Sequence, residues 1–328
     1  MRKIVIYFFS IIIFTFVIPI IFTKTNQIEQ VSNIEENNEE AQYEYSKYNT
    51  IKLLHNSTGE IEELNLDEYL LGVVSAEMPA SYDIEALKAQ AVVARTYTIY
   101  TIMHNGTKHE RADICDNSNC CQAWISKEDR LNRWEESEKE TNWAKIEEAV
   151  NDTKGKIVTY SGEPINAFFH SNSGGTTEVP INVWGGSGYP YLQVVATSGE
   201  ENYSQYLSTV ELTKEEVLSK LKEKHDEAEI DWTVDEPIKI LEYTDSGRVR
   251  TIRVGNINLS GVEARSIFGL KSANFGAEMD GEKVVFSVKG YGHGVGLSQT
   301  GSDSLAKQGK NYEEIIKHFY QGVEIINY

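Results

Sequence analysis

The sequence predicts an α+β fold of mixed helices and mainly antiparallel strands around a cleft, preceded by one transmembrane helix. Three observations lead there: helix-period runs between Asp67 and Asn105, short β-prone runs parted by turn residues, and an uncharged apolar opening stretch. With 328 residues, 40% hydrophobic and 25% charged, the chain can bury a proper core.

Met1-Arg2-Lys3 precedes an apolar run over residues 4–22, about the length that crosses a bilayer. No small-x-small cleavage pattern follows before Lys24, so the run is expected to be an uncleaved anchor rather than a removed signal peptide. Basic residues before it and acidic ones after it place the remainder outside the cytoplasm, on a single-pass protein of the cell membrane. The expected domains are an anchor with a short cytoplasmic start (1–24), an acidic linker (25–50) and a folded extracytoplasmic region (51–328), either one domain or two packed subdomains. The linker is rich in Asn, Glu and Gln and too poor in apolar residues to repay ordering.

The folded region opens with a β-hairpin turning at Ser57-Thr58-Gly59. The spacing of Leu70, Leu71, Val74 and Met78 then predicts an amphipathic helix capped by Asp67 and ended by Pro79, with Glu77 on its last turn. A second, Ala-rich helix runs from Asp83 to a stop at Asn105-Gly106. A solvent-facing helix is expected from about Glu135 to Asp152, closed by Gly155. A hairpin is expected from residues 157–160 and 165–170 around Ser161-Gly162-Glu163-Pro164. Beyond lie a helix near Thr213 to Lys224, turns at Asp245-Ser246-Gly247 and Asp280-Gly281, a helix near Tyr312 to Phe319 and a last strand near Val323 to Ile326.

A net charge of -19 removes nucleic acid from the candidate partners, because a phosphate-binding surface needs clustered Lys and Arg. All 3 cysteines, Cys115, Cys120 and Cys121, fall in one loop with His109 ahead of them. Four such ligands would close a tetrahedral Zn2+ site with no open position, a structural rather than catalytic metal. The alternative is a disulfide from Cys115 to one neighbour, leaving one odd thiol. No organic cofactor is expected.

Two blocks, Glu68-Tyr69-Leu70-Leu71-Gly72-Val73-Val74-Ser75-Ala76-Glu77-Met78-Pro79 and Ala86-Leu87-Lys88-Ala89-Gln90-Ala91-Val92-Val93-Ala94-Arg95-Thr96-Tyr97, resemble the signature of the stage II sporulation protein D family. The blocks from Phe168 to Gly175 and from Gly290 to Gln299 extend the resemblance. It implies a peptidoglycan lytic transglycosylase that cuts glycan strands between N-acetylmuramic acid and N-acetylglucosamine during engulfment, leaving 1,6-anhydro-muramic ends. It implies zinc at His109, Cys115 and Cys121, with Cys120 as a further or idle ligand. It also implies partnership with stage II sporulation proteins P and M, on the mother-cell membrane facing the septal wall.

That reaction needs one group that protonates the glycosidic oxygen and then, as its conjugate base, takes a proton from the C6 hydroxyl. Glu77 is the candidate, and its place at a helix carboxyl end predicts a raised pKa. Lys88 and Arg95 share a helix face and are candidates to present cations to the glycan. His170 and Ser173, beside glycines, His293 and Gln299, within the second Gly-rich block, and Tyr191, a stacking ring beside Pro190, complete the substrate-binding set. Two other classes compete: a zinc-dependent peptidoglycan amidase, which lacks a His-Glu-x-x-His pattern, and a non-catalytic glycan-binding scaffold.

Overall fold

The computed structural model describes residues 45–105 and 109–328. The single-pass anchor, and the membrane localisation built on it, are corrected: no helix among the described residues is long and apolar enough to cross a membrane. The apolar run at 4–22 lies outside the described residues, as does the Gly106 helix stop. The mixed α and β architecture is consistent with the expected class.

The first hairpin is β1 (Thr50–Leu54) with β2 (Ile61–Asn65), antiparallel with Leu54 opposite Ile61. Asn65 caps α1 (Leu66–Glu77), its side chain accepting from the Asp67 N–H. Asp67, the expected cap, sits in the first turn instead and meets Arg95 at 3.2 Å. Met78 is extended, as a residue preceding proline must be, so α1 stops at Glu77.

The long α2 (Ile84–Asn105) buries Ala86, Leu87, Gln90, Val93, Thr96 and Ile99, residues spread around its circumference, as a helix at the centre of a packed unit does. β3 (Ile114–Cys115) follows, parallel to β1, then α3 (Lys127–Asn132) and α4 (Lys139–Asp152). The helix expected to face solvent is α4, yet it buries Trp143, Ile146, Ala149 and Val150 and packs on α1 and α2. Its charged residues outnumber a narrow apolar stripe, which is what the composition concealed.

β4 (Lys156–Tyr160) and β5 (Glu163–Pro164) close a short hairpin. At its turn Ser161 (φ 52°) and Gly162 (φ 82°) are both left-handed, as a two-residue turn requires. The run expected to lengthen this hairpin divides, and β6 (Phe169–His170) leaves to pair in parallel with Leu297–Ser298. That departure sets His170 opposite Ser298, the residue before Gln299. The helix α5 (Pro180–Trp184) and a 3-10 turn, Glu200–Asn202, lie in the loops beyond.

A strand-rich segment follows: β7 (Leu207–Thr213), α6 (Lys214–Lys222), β8 (Ile238–Tyr243), β9 (Val249–Val254), β10 (Ile257–Ser260), α7 (Gly261–Phe268), β11 (Phe275–Asp280) and β12 (Lys283–Lys289). Two antiparallel sheets, ordered β10-β9-β8 and β11-β12-β7, share a core with α6 and α7 built on Val217, Leu221, Ile252, Phe268 and Phe286. Thr213 and Ser260 start the two helices with reciprocal capping boxes. The chain then returns through β13 (Leu297–Ser298), α8 (Gln299–Lys307), α9 (Tyr312–Phe319) and β14 (Glu324–Asn327). α8 and α9 pack on α2, and β14 pairs antiparallel with β4.

Candidate active site

The Glu77 carboxyl is held from two directions by uncharged donors. Ala123 N–H donates to Oε1 at 2.8 Å and Gln299 Nε2–H donates to Oε2 at 3.0 Å. Burial raises its pKa above the ordinary carboxylate value, and the two hydrogen bonds only partly offset that rise. The helix end, expected to be the cause, is not the dominant one; desolvation is.

Each donor has its own support. On the Ala123 side, a Cβ on Gly72 of α1 would lie 2.2 Å from Trp124 Nε1, so only glycine lets the indole lie against the helix. Gln122 pins the same loop by donating to Tyr69 Oη at 3.1 Å and Thr98 Oγ1 at 3.0 Å. On the Gln299 side, Ser298 caps α8, accepting from Gly301 N–H at 3.3 Å, and its hydroxyl donates to Glu200. The fully buried Glu200 carboxylate also accepts from Ser173 N–H (3.0 Å), Gly175 N–H (2.9 Å), Ser173 Oγ (2.5 Å), Thr197 Oγ1 (2.6 Å) and Thr300 Oγ1 (3.2 Å).

Immediately before Ala123 lies the His and Cys cluster. One ligand atom from each of His109, Cys115, Cys120 and Cys121 lies within 4.8 Å of the others. His109 Nε2 is 3.4 Å from Cys121 Sγ and 3.8 Å from Cys120 Sγ, and the two sulfurs are 3.8 Å apart. Tetrahedral Zn2+, with Zn–S of about 2.3 Å and Zn–N of about 2.0 Å, spaces its ligands by about 3.5–3.8 Å, so the cluster fits that ion. None of the three cysteines is in a disulfide, so the alternative bridge from Cys115 to a neighbour is not formed.

The other expected site residues divide. Gln299 is at Glu77, but it positions the carboxyl. Arg95 is 0% exposed and spends its guanidinium on the Thr153, Lys156 and Val150 carbonyls and on Asp67, which corrects its assignment as a sugar-facing cation. Lys88 is paired with Glu85 at 3.2 Å and Asp152 at 2.9 Å, a helix-to-helix tie. Ser173 is 0% exposed and belongs to the Glu200 network, so it too is corrected from binding to support. Tyr191 is buried, its hydroxyl accepting from Asn166 N–H at 2.9 Å and its ring packed 5.5 Å from Tyr160, so it offers no open stacking face.

His170 is buried, with Nδ1 3.1 Å from the Val295 carbonyl, and burial pushes its pKa down to about 3, with Arg248 adding to the effect. His293 accepts at Nδ1 from Val295 N–H at 3.1 Å and is likewise held neutral by burial. The two rings lie 5.6 Å apart. What sequence reading missed is Trp184, 51% exposed and packed on Phe168 (4.6 Å) and His293 (5.0 Å). A tryptophan next to Gly185-Gly186 was the signal that could have found it. Ala123 carried none, since it acts through its backbone.

The family model described as Stage II sporulation protein (SpoIID) matches residues 54–160, from β1 to β4. The chain is 35% identical over 277 residues to stage II sporulation protein D of Bacillus subtilis (strain 168), covering 84% of this chain and 78% of that one. It is 34% identical over 278 residues to the protein of the same name from Bacillus amyloliquefaciens, again covering 84% and 78%. It is 30% identical over 311 residues to the amidase enhancer of Bacillus subtilis (strain 168), covering 79% of this chain and 40% of that longer one.

Proposed function

This chain belongs to the stage II sporulation protein D family, a sporulation family associated with cell-wall degradation, and on that premise we propose that it is a peptidoglycan lytic transglycosylase with Glu77 as general acid and base. The observation that carries this reading is the state of the Glu77 carboxyl: half-buried, raised in pKa by desolvation, gripped by two neutral donors, with no charged group among the described residues contributing to its shift. A raised pKa keeps the proton available for donation. Among the described residues its hydrogen-bond partners include no second carboxylate, which suits a reaction in which water is not the nucleophile.

Protonated Glu77 gives its proton to the glycosidic oxygen as the bond to C1 of muramic acid breaks. The resulting carboxylate takes the proton of the C6 hydroxyl, whose oxygen closes onto C1. The 1,6-anhydro ring forms, no water is consumed and Glu77 ends protonated. Gln299 and Ala123 N–H hold the carboxyl and steady its transient charge.

We further propose that His109, Cys115, Cys120 and Cys121 hold a Zn2+ ion with all four positions filled, so that it staples the loop carrying Ala123 and supplies no reactive water. Glycan strands are the proposed substrate, and stage II sporulation proteins P and M the proposed companions.

Product analysis tests the main reading: digestion of glycan strands should yield fragments ending in anhydro-muramic acid, and the Glu77→Gln protein should yield almost none. Fragments with ordinary reducing ends would contradict it. For the cluster, elemental analysis should find about one zinc per chain, and chelation should lower Tm.

A further inference from the structure

Away from Glu77, one half-buried arginine has no hydrogen-bond or ion-pair partner among the described residues. Arg265, half-buried on α7, lines a small cavity with Glu178, Asn182, Thr244, Arg248 and His293. Among the described residues its guanidinium makes no hydrogen bond and no ion pair, and the exposed Tyr291 is the only group whose charge would favour its own. A guanidinium presents five donors in a fixed fork, and those of Arg265 are still within reach of solvent, open to a ligand.

The other charges of the cavity are already committed. Arg248 donates to the Thr176 carbonyl (2.8 Å), Ser246 Oγ (3.0 Å) and the Ser173 carbonyl (2.8 Å). Glu178 accepts at one oxygen from Val179 N–H and Asn182 Nδ2–H, both at 2.8 Å, and at the other from Thr244 Oγ1 (2.6 Å) and Ser246 Oγ (2.7 Å). Two arginines face one carboxylate, so the wall is positive in a chain whose net charge is -19. The cavity holds about one water, so a substituent's carboxylate would meet Arg265 at its mouth and a sugar ring stays outside. Its His293 wall backs the exposed Trp184 indole at 5.0 Å, an aromatic face on which a pyranose can rest.

We propose that Arg265 is the receptor for a carboxylate carried by the glycan, specifically the 3-O-lactyl carboxylate of a muramic acid unit seated against Trp184. The proposal rests on the glycan-cleaving reading and adds to it the place where an acidic sugar is told from a neutral one. Bidentate pairing of guanidinium with carboxylate is directional and strong in a partly desolvated site. Neutral His170 and His293 contribute no charge of their own, so the selectivity falls to Arg265.

The test is calorimetric titration of the full chain carrying Glu77→Gln, which prevents turnover. Four probes are compared: peptide-free N-acetylglucosamine–N-acetylmuramic acid oligosaccharides, the same with the lactyl carboxylate amidated, the same bearing stem peptides, and N-acetylglucosamine oligosaccharides. The acid form should bind about tenfold or more tightly than its amide. Adding Arg265→Gln should make the two equal without changing affinity for the neutral oligosaccharide, while Arg265→Lys should keep part of the preference. Equal binding of acid and amide to the chain with Arg265 intact, with neutral oligosaccharide still bound, would overturn the receptor and leave the glycan reading standing. Tightest binding of the peptide-bearing form would move the recognised carboxylate to the peptide and overturn the lactyl assignment. Binding of no saccharide at all would overturn both.

Discussion

Glu77, half-buried, and Glu200, fully buried, are two carboxyl groups joined through Ser298-Gln299, and their pKa values are shifted in opposite directions. Glu200 accepts six hydrogen bonds from Ser173, Gly175, Thr197, Ser298 and Thr300. Burial alone would raise its pKa, but those donors outweigh burial and hold it below the usual carboxylate value. Glu77 accepts two, and burial wins. The difference lies in donor supply: a saturated carboxylate is held in its charged form, and an under-supplied one is left to the desolvation that favours its proton form.

The largest effect that would break this contrast is on chemistry. Glu77→Gln should lower cleavage by about 10²–10⁴-fold, the usual weight of a general acid and base, while Tm at neutral pH stays equal to or above that of the unaltered protein. The stability advantage of the variant should be absent below the unfolded carboxylate pKa and grow as pH rises through the raised folded value, because there the buried group must ionise. Activity carried by the proton form should fade across the same rise.

Glu200→Gln should act the other way, costing about 3 kcal/mol of stability in urea unfolding, since donors arranged for a charge lose it. Its folded pKa is depressed, so the stability it contributes is present above the unfolded carboxylate pKa and lost as pH falls through the folded one. The unaltered protein and the variant should therefore converge in acid. A loss of rate without loss of stability would mean that Glu200 belongs with Glu77 and that the contrast is drawn in the wrong place.

A smaller change sharpens the comparison. Gln299 favours the charged form of Glu77, so Gln299→Ala should raise the Glu77 pKa further and move the alkaline limb of the pH–rate profile upward, with a rate loss of about tenfold or less. A limb that stays in place would show that Gln299 does not set the proton affinity.

Local signals made much of this legible. Pro79 after an apolar-periodic run placed Glu77 at a helix end, and Tyr312–Phe319 forms as its pattern predicts. Long-range packing was not legible. Lys88 and Arg95 share a spacing that suggests a solvent face, but the carbonyls closing α4 turn Arg95 into a buried tie. Glu200, in a polar Ser-Gly-Glu-Glu-Asn run, has the composition of a solvated loop, and its donors come from distant segments. Arg265 likewise gave no sign, because its lack of a hydrogen-bond partner among the described residues shows only in three dimensions.

Transfer to the C6 hydroxyl and hydrolysis differ in the origin of the oxygen at the new C1 bond. Cleavage of glycan strands in water enriched in oxygen-18, followed by mass spectrometry of the fragments, should give anhydro ends without label, lighter by one water than hydrolytic ends. Fragments carrying oxygen-18 at C1 would contradict transfer to the C6 hydroxyl.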